Sequence, residues 1–422
     1  METAFPSPAE AGQTPRAVVI AGAGQAGFQL AASLRQEGFG GRVVLIGDEP
    51  GLPYQRPPLS KAYLADGDAG RLALRPHDFF AEHGITLIAG AGVRRIDRAA
   101  RKVALDDGRS LAFDHLVLAL GARNRVLPLP GADLPNVVGL RTLADAGRLR
   151  ALLADATSLA VIGGGLIGLE VAAVARKAGL DVTVAEAGER LMGRTVSART
   201  AARLQSWHEA QGTRIRLNAG VRAIRPGPAG LAAGLELADG TGLAADLVLV
   251  AAGVVPNQEL AAQAGLAVGD GILVDAMLST SDPAISAIGD CACFRGGVDG
   301  RPVRLESVQN AVDQARSVAA RLLGRAEPYH KVPWFWSDQG PNKLQIAGLA
   351  AGCDRFVERP MPGGAFALYG FRGDRLQAVE SINAPADHMA ARRLLALPAP
   401  PALADLQRID FDPRRAVAEF AG

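Results

Sequence analysis

Two glycine-rich turns in this chain have the residue types and spacing to hold a dinucleotide. Gly22, Gly24 and Gly27 follow the apolar run Ala17-Val18-Val19-Ile20, and Asp48 and Glu49 close the next such run, Val43-Val44-Leu45-Ile46. Gly163, Gly165 and Gly168 follow Ala160-Val161-Ile162, and Glu186 closes Val182-Thr183-Val184. In a strand, turn and helix of this spacing, the glycines permit the tight turn, the approach of backbone to pyrophosphate and the packing of helix on strand. The helix N-terminus then holds the phosphates. The acid about 20 residues further on accepts the ribose hydroxyls. Two such units on one polypeptide predict an enzyme that brings two dinucleotides together. Glu186, with no arginine directly after it, favours NADH over NADPH.

Other chemistry-bearing residues lie between and beyond these turns. Prolines in Pro53-Tyr54-Gln55-Arg56-Pro57-Pro58-Leu59-Ser60-Lys61 prevent regular pairing and stiffen the segment, fixing Arg56 and Lys61. Glu170 stands two residues after Gly168, and Trp334, Phe335 and Trp336 form an aromatic cluster behind Pro333. The three cysteines, Cys291, Cys293 and Cys353, are too few for an iron-sulfur cluster or a disulfide framework. Cys291 and Cys293 share a face if they lie in one strand, a poor geometry for a disulfide, and read as structural. The six histidines show no metal-ligand spacing, so no metal site is expected.

The elements that must position these groups follow from the pattern. Residues 16–47 read as one strand, turn, helix (Ala26 to Glu37) and strand unit, followed by short strands at Thr86 to Ile88, Lys102 to Leu105 and His115 to Leu120, with a hairpin at Asp106-Asp107-Gly108. Pro128, Pro130 and Gly131 mark a crossing into a second lobe that repeats this order. Its helices are expected at Gly168 to Ala178 and Ser197 to Gln211, its hairpin at Ala238-Asp239-Gly240 and its last strand at Asp246 to Ala251; an internal duplication results. A helix from about Glu306 to Leu323 follows, with Val308, Val312, Ala315 and Ala319 inward and Gln309, Asp313 and Arg316 outward. Beyond Tyr329, strand-like pieces such as Phe366 to Tyr369 and a helix from Ala386 to Leu397 make a third, α+β domain. The predicted fold is α/β, with two Rossmann-like domains and this C-terminal domain. The expected boundaries are a disordered tail over residues 1–15, a first dinucleotide-binding domain over 16–125 and 253–329, a second over 126–252, and the C-terminal domain over 330–422.

Composition narrows the class. The chain has 422 residues, 49% hydrophobic and 21% charged, enough apolar material for two or three domains. No apolar run approaches the roughly 18 residues of a membrane span, so no membrane segment is expected. The first residues have neither a basic start nor an apolar centre, so they are no signal peptide, and the expected location is cytoplasmic. A net charge of +2 argues against a nucleic-acid partner.

The two fingerprints appear in order with the Arg-Pro-Pro-Leu-Ser-Lys segment, Leu247 to Asn257, Ala287-Ile288-Gly289-Asp290-Cys291-Ala292, Glu306-Ser307-Val308-Gln309-Asn310-Ala311, and Pro333 to Gln339. Over about residues 16–400 this combination resembles the FAD-dependent NADH:ferredoxin reductases that feed bacterial oxygenases, which have a glutathione-reductase-like fold. The resemblance implies a resident FAD touched by Gly22, Gly24, Ala26, Gly27, Asp48, Lys61, Val93, Arg141, Asp290 and Val308. Arg56 is grouped with these, and Trp336 is placed at the flavin face. Gly163, Gly165, Gly168, Glu170, Glu186 and Gly253 form the NADH set. Asp290, after a glycine at a strand end, suits ribityl hydroxyls, and Val308 opens a helix whose positive end favours an anionic reduced flavin. Lys61 and Glu170, with Trp336, are implied to order the hydride-transfer pocket as positioning groups. The chain departs from the family at Ala119-Leu120-Gly121 and at Gln339-Gly340-Pro341-Asn342-Lys343.

The implied acceptor is a small [2Fe-2S] ferredoxin that serves a cytochrome P450 or a ring-hydroxylating dioxygenase. Docking is expected to be transient and electrostatic, with Arg316 and Lys343 as candidate contacts. Two alternatives stand on the same fold: an NADH-dependent disulfide or peroxide reductase or NADH oxidase, which needs a thiolate near the flavin, and an NADH-sensing flavoprotein like apoptosis-inducing factor.

Overall fold

The computed structural model of the chain describes residues 14–296, 300–408 and 411–421. Of the expected tail, Met1 to Gln13 lie outside the described residues. The described chain forms two compact units. The first comprises the described residues of Met1–Gln55, Gly70–Arg123 and Val255–Pro333; the second comprises Arg56–Ala69, Asn124–Val254 and Trp334–Gly422.

The first unit is built on a five-stranded sheet ordered Ile285–Ala287, His115–Leu118, Ala17–Ala21, Arg42–Gly47 and Ile85–Ala89, parallel throughout. Its inner strands are apolar at almost every position because other elements pack on both faces of such a sheet. Val18, Val19, Ile20, Val43, Leu116, Val117 and Leu118 are fully buried, and each large side chain contributes about 1.5–3 kcal/mol of burial. The first glycine turn opens the helix Gln25–Gln36, and this helix packs beside Val308–Leu322. A three-stranded antiparallel sheet, Val93–Asp97, Lys102–Leu105 and Ser110–Ala112, fills the crossover between strands.

The second unit repeats this plan. Its parallel sheet runs Arg214–Arg216, Asp181–Ala185, Ser158–Ile162, Leu247–Val250 and Val137–Val138, and its crossover hairpins are Val221–Pro226, Ala232–Leu237 and Gly242–Ala244. The duplication expected from sequence is therefore present, except at the outer strand: Val137–Val138 precedes the other strands of its sheet, whereas Ile285–Ala287 follows those of the first. The same unit carries a five-stranded antiparallel sheet ordered Trp334–Gln339, Asn342–Gly348, Arg375–Ile382, Phe366–Arg372 and Arg355–Pro360. One face of that sheet packs on the helices Pro385–Leu395 and Pro413–Ala421 around Ala347, Tyr369 and Val379. The opposite face meets the helix Ala198–Ala210, through His208 Nε2 to Gln339 Oε1 at 2.9 Å and through Glu380.

Several expectations need correction. The strand at His115 stops at Leu118, and Ala119 and Leu120 form the crossing that Gly22 packs against. Cys291 does not share a strand with Cys293: it ends the 3-10 turn Gly289–Cys291, and the strand begins at Ala292. On the helix Val308–Leu322, the buried face is Asn310, Ala311, Gln314, Ala315, Val318, Ala319 and Leu322, while Val308 and Val312 are half-buried. The face is rotated because two polar side chains are taken inward as struts. Gln314 Oε1 accepts the Gly289 N–H at 2.7 Å, and Asn310 Nδ2 donates to Leu305 O while its Oδ1 accepts the Tyr329 hydroxyl. Arg316 stays on the exposed face, as expected. The Pro-rich segment is more ordered than a plain loop: Pro57–Ser60 is a 3-10 turn and Ala62–Asp66 a short helix. Leu143–Asp155, capped by Thr142, is a helix that the apolar pattern did not reveal.

Glu380, 1% exposed, accepts both the backbone N–H of Ser197 (2.7 Å) and its hydroxyl (2.6 Å) at the start of the helix Ala198–Ala210. Glu380→Ala leaves the Ser197 N–H buried without its acceptor. It is expected to cost about 1–3 kcal/mol, read as a lower urea midpoint; an unchanged midpoint contradicts the strut.

Candidate functional site

In the first unit, the glycine turn is shaped for close backbone approach. Gly22 has φ +112°, and a methyl there would lie 2.1 Å from Ala119 O; a methyl on Gly27 would lie 1.9 Å from Gly22 O. At Gly24, by contrast, a methyl would meet nothing within 4 Å. The middle glycine therefore faces open space at the start of a helix that has no side-chain cap and no acid in its first turn. Free N–H groups at a helix start, with room before them, fit a pyrophosphate. Asp48 lies near the start of Val93–Asp97: a methyl on Gly92 would come 3.7 Å from Asp48 Cβ. The turn holding Asp290 abuts the same helix, since a methyl on Gly289 would lie 3.0 Å from Ala26 Cβ. Val308 is the first residue of its helix, behind the N-cap Ser307. Gly22, Gly24, Ala26, Gly27, Asp48, Val93, Asp290 and Val308 all belong to the first unit, whose open helix start could hold a dinucleotide's pyrophosphate.

The second unit repeats the cradle. Gly163 has φ +108° with a would-be methyl 2.5 Å from Ala251 O, Gly168 is closed by Gly163 O at 2.4 Å, and Gly165 is open. The helix Leu166–Lys177 has neither a side-chain cap nor an acid in its first turn. Glu186 is held at the strand end by the N–H groups of Gly164 and Gly188, each at 2.7 Å. Gly253, φ +91°, follows the neighbouring strand end.

Deeper along the helix Leu166–Lys177 the structure assembles an ionic cluster. Glu170 is 3% exposed. Its Oε1 lies 3.2 Å from Lys61 Nζ and accepts the Ser337 hydroxyl at 2.7 Å and the Asp338 N–H at 3.3 Å; its Oε2 accepts the Ser60 hydroxyl. Lys61 Nζ also stands 3.2 Å from Asp338 Oδ2 and 6.0 Å from the Trp336 ring centre. Lys61 reaches this point because its N–H closes onto Pro58 O at the end of the 3-10 turn, before the next short helix begins. Arg56, at the start of that turn, donates to Arg141 O at 2.6 Å. Burial pushes the Glu170 carboxyl above the usual glutamate range, against the pull of Lys61, Ser60 and Ser337.

The second unit thus unites Lys61, Glu170 and Trp336, and places Arg56, Arg141, Glu186 and the second glycine set in the same body. Sequence reasoning missed Ser60, Ser337 and Asp338. A signal for the last was present: in the strand Trp334–Gln339, alternation puts Asp338 on the face of Trp336 and Ser337 on the other. Lys343 is exposed in the second unit, whereas Gln339 is fully buried against His208. All three thiols are free. Burial pushes Cys291 and Cys353 up to about 11 and raises Cys293. Among the described residues there is no cluster of three His, Cys, Asp or Glu able to hold a metal, and no helix long and apolar enough to cross a membrane.

Comparison with known proteins places these features in a family. Residues 16–315 match the family model of the pyridine nucleotide-disulphide oxidoreductases, and residues 334–417 match that of the reductase C-terminal domain. The chain is 53% identical over 403 residues to rhodocoxin reductase of Rhodococcus erythropolis, covering 95% of this chain and 94% of that protein. Among solved structures, it is similar to the ferredoxin reductase for the CYP199A2 system from Rhodopseudomonas palustris, with TM-score 0.93 and 47% identity, covering 95% of this chain and all (100%) of that one. It is also similar to a putidaredoxin reductase solved in covalent complex with putidaredoxin, with TM-score 0.91 and 39% identity over 96% of this chain and 99% of that one.

The raised Glu170 carboxyl has a consequence for stability. The native state binds this proton more tightly than the unfolded chain. Its stability therefore falls as pH rises from the ordinary value of 4.5 through the raised one. Glu170→Gln is expected to flatten that part of the profile in urea unfolding at stepped pH; parallel profiles for the two proteins refute it.

Proposed function

We propose, because the chain belongs to the pyridine nucleotide-disulphide oxidoreductase family, that it is an FAD-dependent reductase passing electrons from NADH to a [2Fe-2S] ferredoxin. The observation that carries this reading is the pair of glycine helices, one in each unit, each uncapped, open at its middle glycine and accompanied by an acid at the next strand end. FAD, when bound, supplies a carrier that accepts one hydride, with its two electrons, and releases those electrons singly. The first cradle is assigned to it: Gly22, Gly24, Ala26 and Gly27 for the pyrophosphate and Asp48 for the ribose, with Val93, Asp290 and Val308. The second cradle is assigned to NADH, with Gly163, Gly165 and Gly168 at the pyrophosphate, Glu186 at the adenosine ribose, and Gly253 beside them. Lys61, Glu170 and Trp336 align the nicotinamide and exclude water, since hydride passage depends on alignment more than on acid-base help. Arg316 and Lys343 are proposed docking contacts for an acidic ferredoxin, which serves a cytochrome P450 or dioxygenase. The reading places the enzyme in the cytoplasm.

The thiols support this reading over a disulfide or peroxide reductase. That chemistry runs on a thiolate, whereas Cys291 is fully buried with its thiol directed at Ile288 O (3.3 Å) and pushed up to about 11.

NADH-driven cytochrome c reduction is expected to rise steeply when a [2Fe-2S] ferredoxin is added, and anaerobic titration is expected to consume one NADH per FAD. Ferredoxin-independent rates, or uptake of a second NADH, sink the assignment. NADPH is expected to be the poorer donor. Glu186→Ala narrows the preference by about tenfold, the order of one hydrogen bond to a charged group; an unchanged ratio of kcat/KM values removes Glu186 from the nucleotide site.

A further inference from the structure

Lys61 carries three N–H donors on one nitrogen. Two carboxylates of different character stand against it. Glu170 Oε1, at 3.2 Å, belongs to a buried group already held by Ser60, Ser337 and the Asp338 N–H. Asp338 Oδ2, also at 3.2 Å, belongs to a side chain that is 40% exposed. One anchor alone leaves the ammonium free to turn about its own bond. Asp338 Oδ2 accepts one of its N–H groups and Glu170 Oε1 draws the ammonium by charge, so the two carboxylates together fix where Lys61 Nζ stands. A half-exposed ion pair contributes little to folding, so the Lys61–Asp338 pair is a poor device for stability and a good one for aim. Trp336, two positions earlier on the same strand face, flanks the ammonium at 6.0 Å and limits its path on that side.

We propose that Asp338 is a positioning residue for hydride transfer: by holding Lys61 against Glu170, it fixes the Lys61 ammonium at the ring end of the bound nucleotide. This inference rests on the NADH reductase reading above. Asp338 acts only through Lys61, touching neither the nucleotide nor the reacting atoms. Its backbone N–H, already bonded to Glu170, is unaffected by substitution of the side chain.

The test uses the FAD-loaded full chain and four variants: Asp338→Asn, Asp338→Glu, Lys61→Ala and the double variant Lys61→Ala/Asp338→Asn. Two readouts are taken: the anaerobic stopped-flow rate of flavin bleaching by NADH, and the affinity for NAD+ without turnover. Asp338→Asn is expected to slow bleaching about tenfold, the scale of a misaligned positioning group, while NAD+ affinity and melting temperature stay at the wild-type values. Asp338→Glu restores most of the rate, because the carboxylate returns. The double variant is no slower than Lys61→Ala, because a residue that acts through another has no effect once that other is gone. Wild-type bleaching rates in Asp338→Asn, or a double variant slowed by the product of the single effects, overturn the role of Asp338 and leave the reductase reading intact. A wild-type protein that NADH does not bleach overturns both.

Discussion

The buried carboxylate of Glu170 is the constraint on which the second unit is organised. A charge removed from water must be paired and its lone pairs filled, or burial costs several kcal/mol. Here the filling groups come from far along the chain. Ser60 and Lys61 arrive from the turn after Pro57 and Pro58, and Ser337 with the Asp338 N–H arrives from the first strand of the C-terminal sheet. One charge therefore dictates where three segments stand. An apolar side chain in its place can be as stable or more so, but it carries no demand for those particular partners. The C-terminal sheet shows the same logic at Glu380, a buried acid that accepts from Ser197 at a helix start.

The duplication makes the specialisation of this charge visible. Both units present a glycine helix at the carboxyl ends of a parallel sheet, with the same close contacts at the first and third glycines and the same opening at the second. Counting from Gly27 and Gly168, the residue that matches Glu170 is Gln29, half-buried and bonded within its own helix to Ser33 at 3.0 Å. The first helix asks nothing of distant segments at that position. The second recruits an ammonium. A common frame thus supports two unlike cradles, and the difference resides in one side chain two residues after the third glycine.

What was legible in the sequence was local. The glycine turns, their strands and the acids at the strand ends follow from steric rules over a few residues, and each appears as expected. The aromatic run Trp334-Phe335-Trp336 was recognisable, yet its neighbours Ser337 and Asp338 were passed over, because their value depends on a glutamate 167 positions before the one and a lysine 277 positions before the other. The inward face of Val308–Leu322 was misplaced for a related reason. An apolar count assigns valines to the core, whereas Gln314 and Asn310 are drawn in by Gly289 and Tyr329, partners that no helical period can announce. The Leu143–Asp155 helix escaped notice since only Ala146 and Leu149 on it are buried, so it has almost no apolar stripe.

The helix starts carry the last step. Thr142, Ser197 and Ser307 cap their helices with side-chain oxygens, and each such cap stabilises by about 1 kcal/mol. The two glycine helices forgo that contribution: Gly24 and Gly165 offer no side chain, and no acid stands in either first turn. Their N–H groups are left to be satisfied by something other than the chain. A pyrophosphate does so with two negative charges against the positive helix end. A nucleotide held there stabilises the folded state in proportion to the logarithm of its occupancy. The glycines thus have two effects that cannot be separated. They leave room for a pyrophosphate, and they leave each helix start less stable than a capped one until its N–H groups are met.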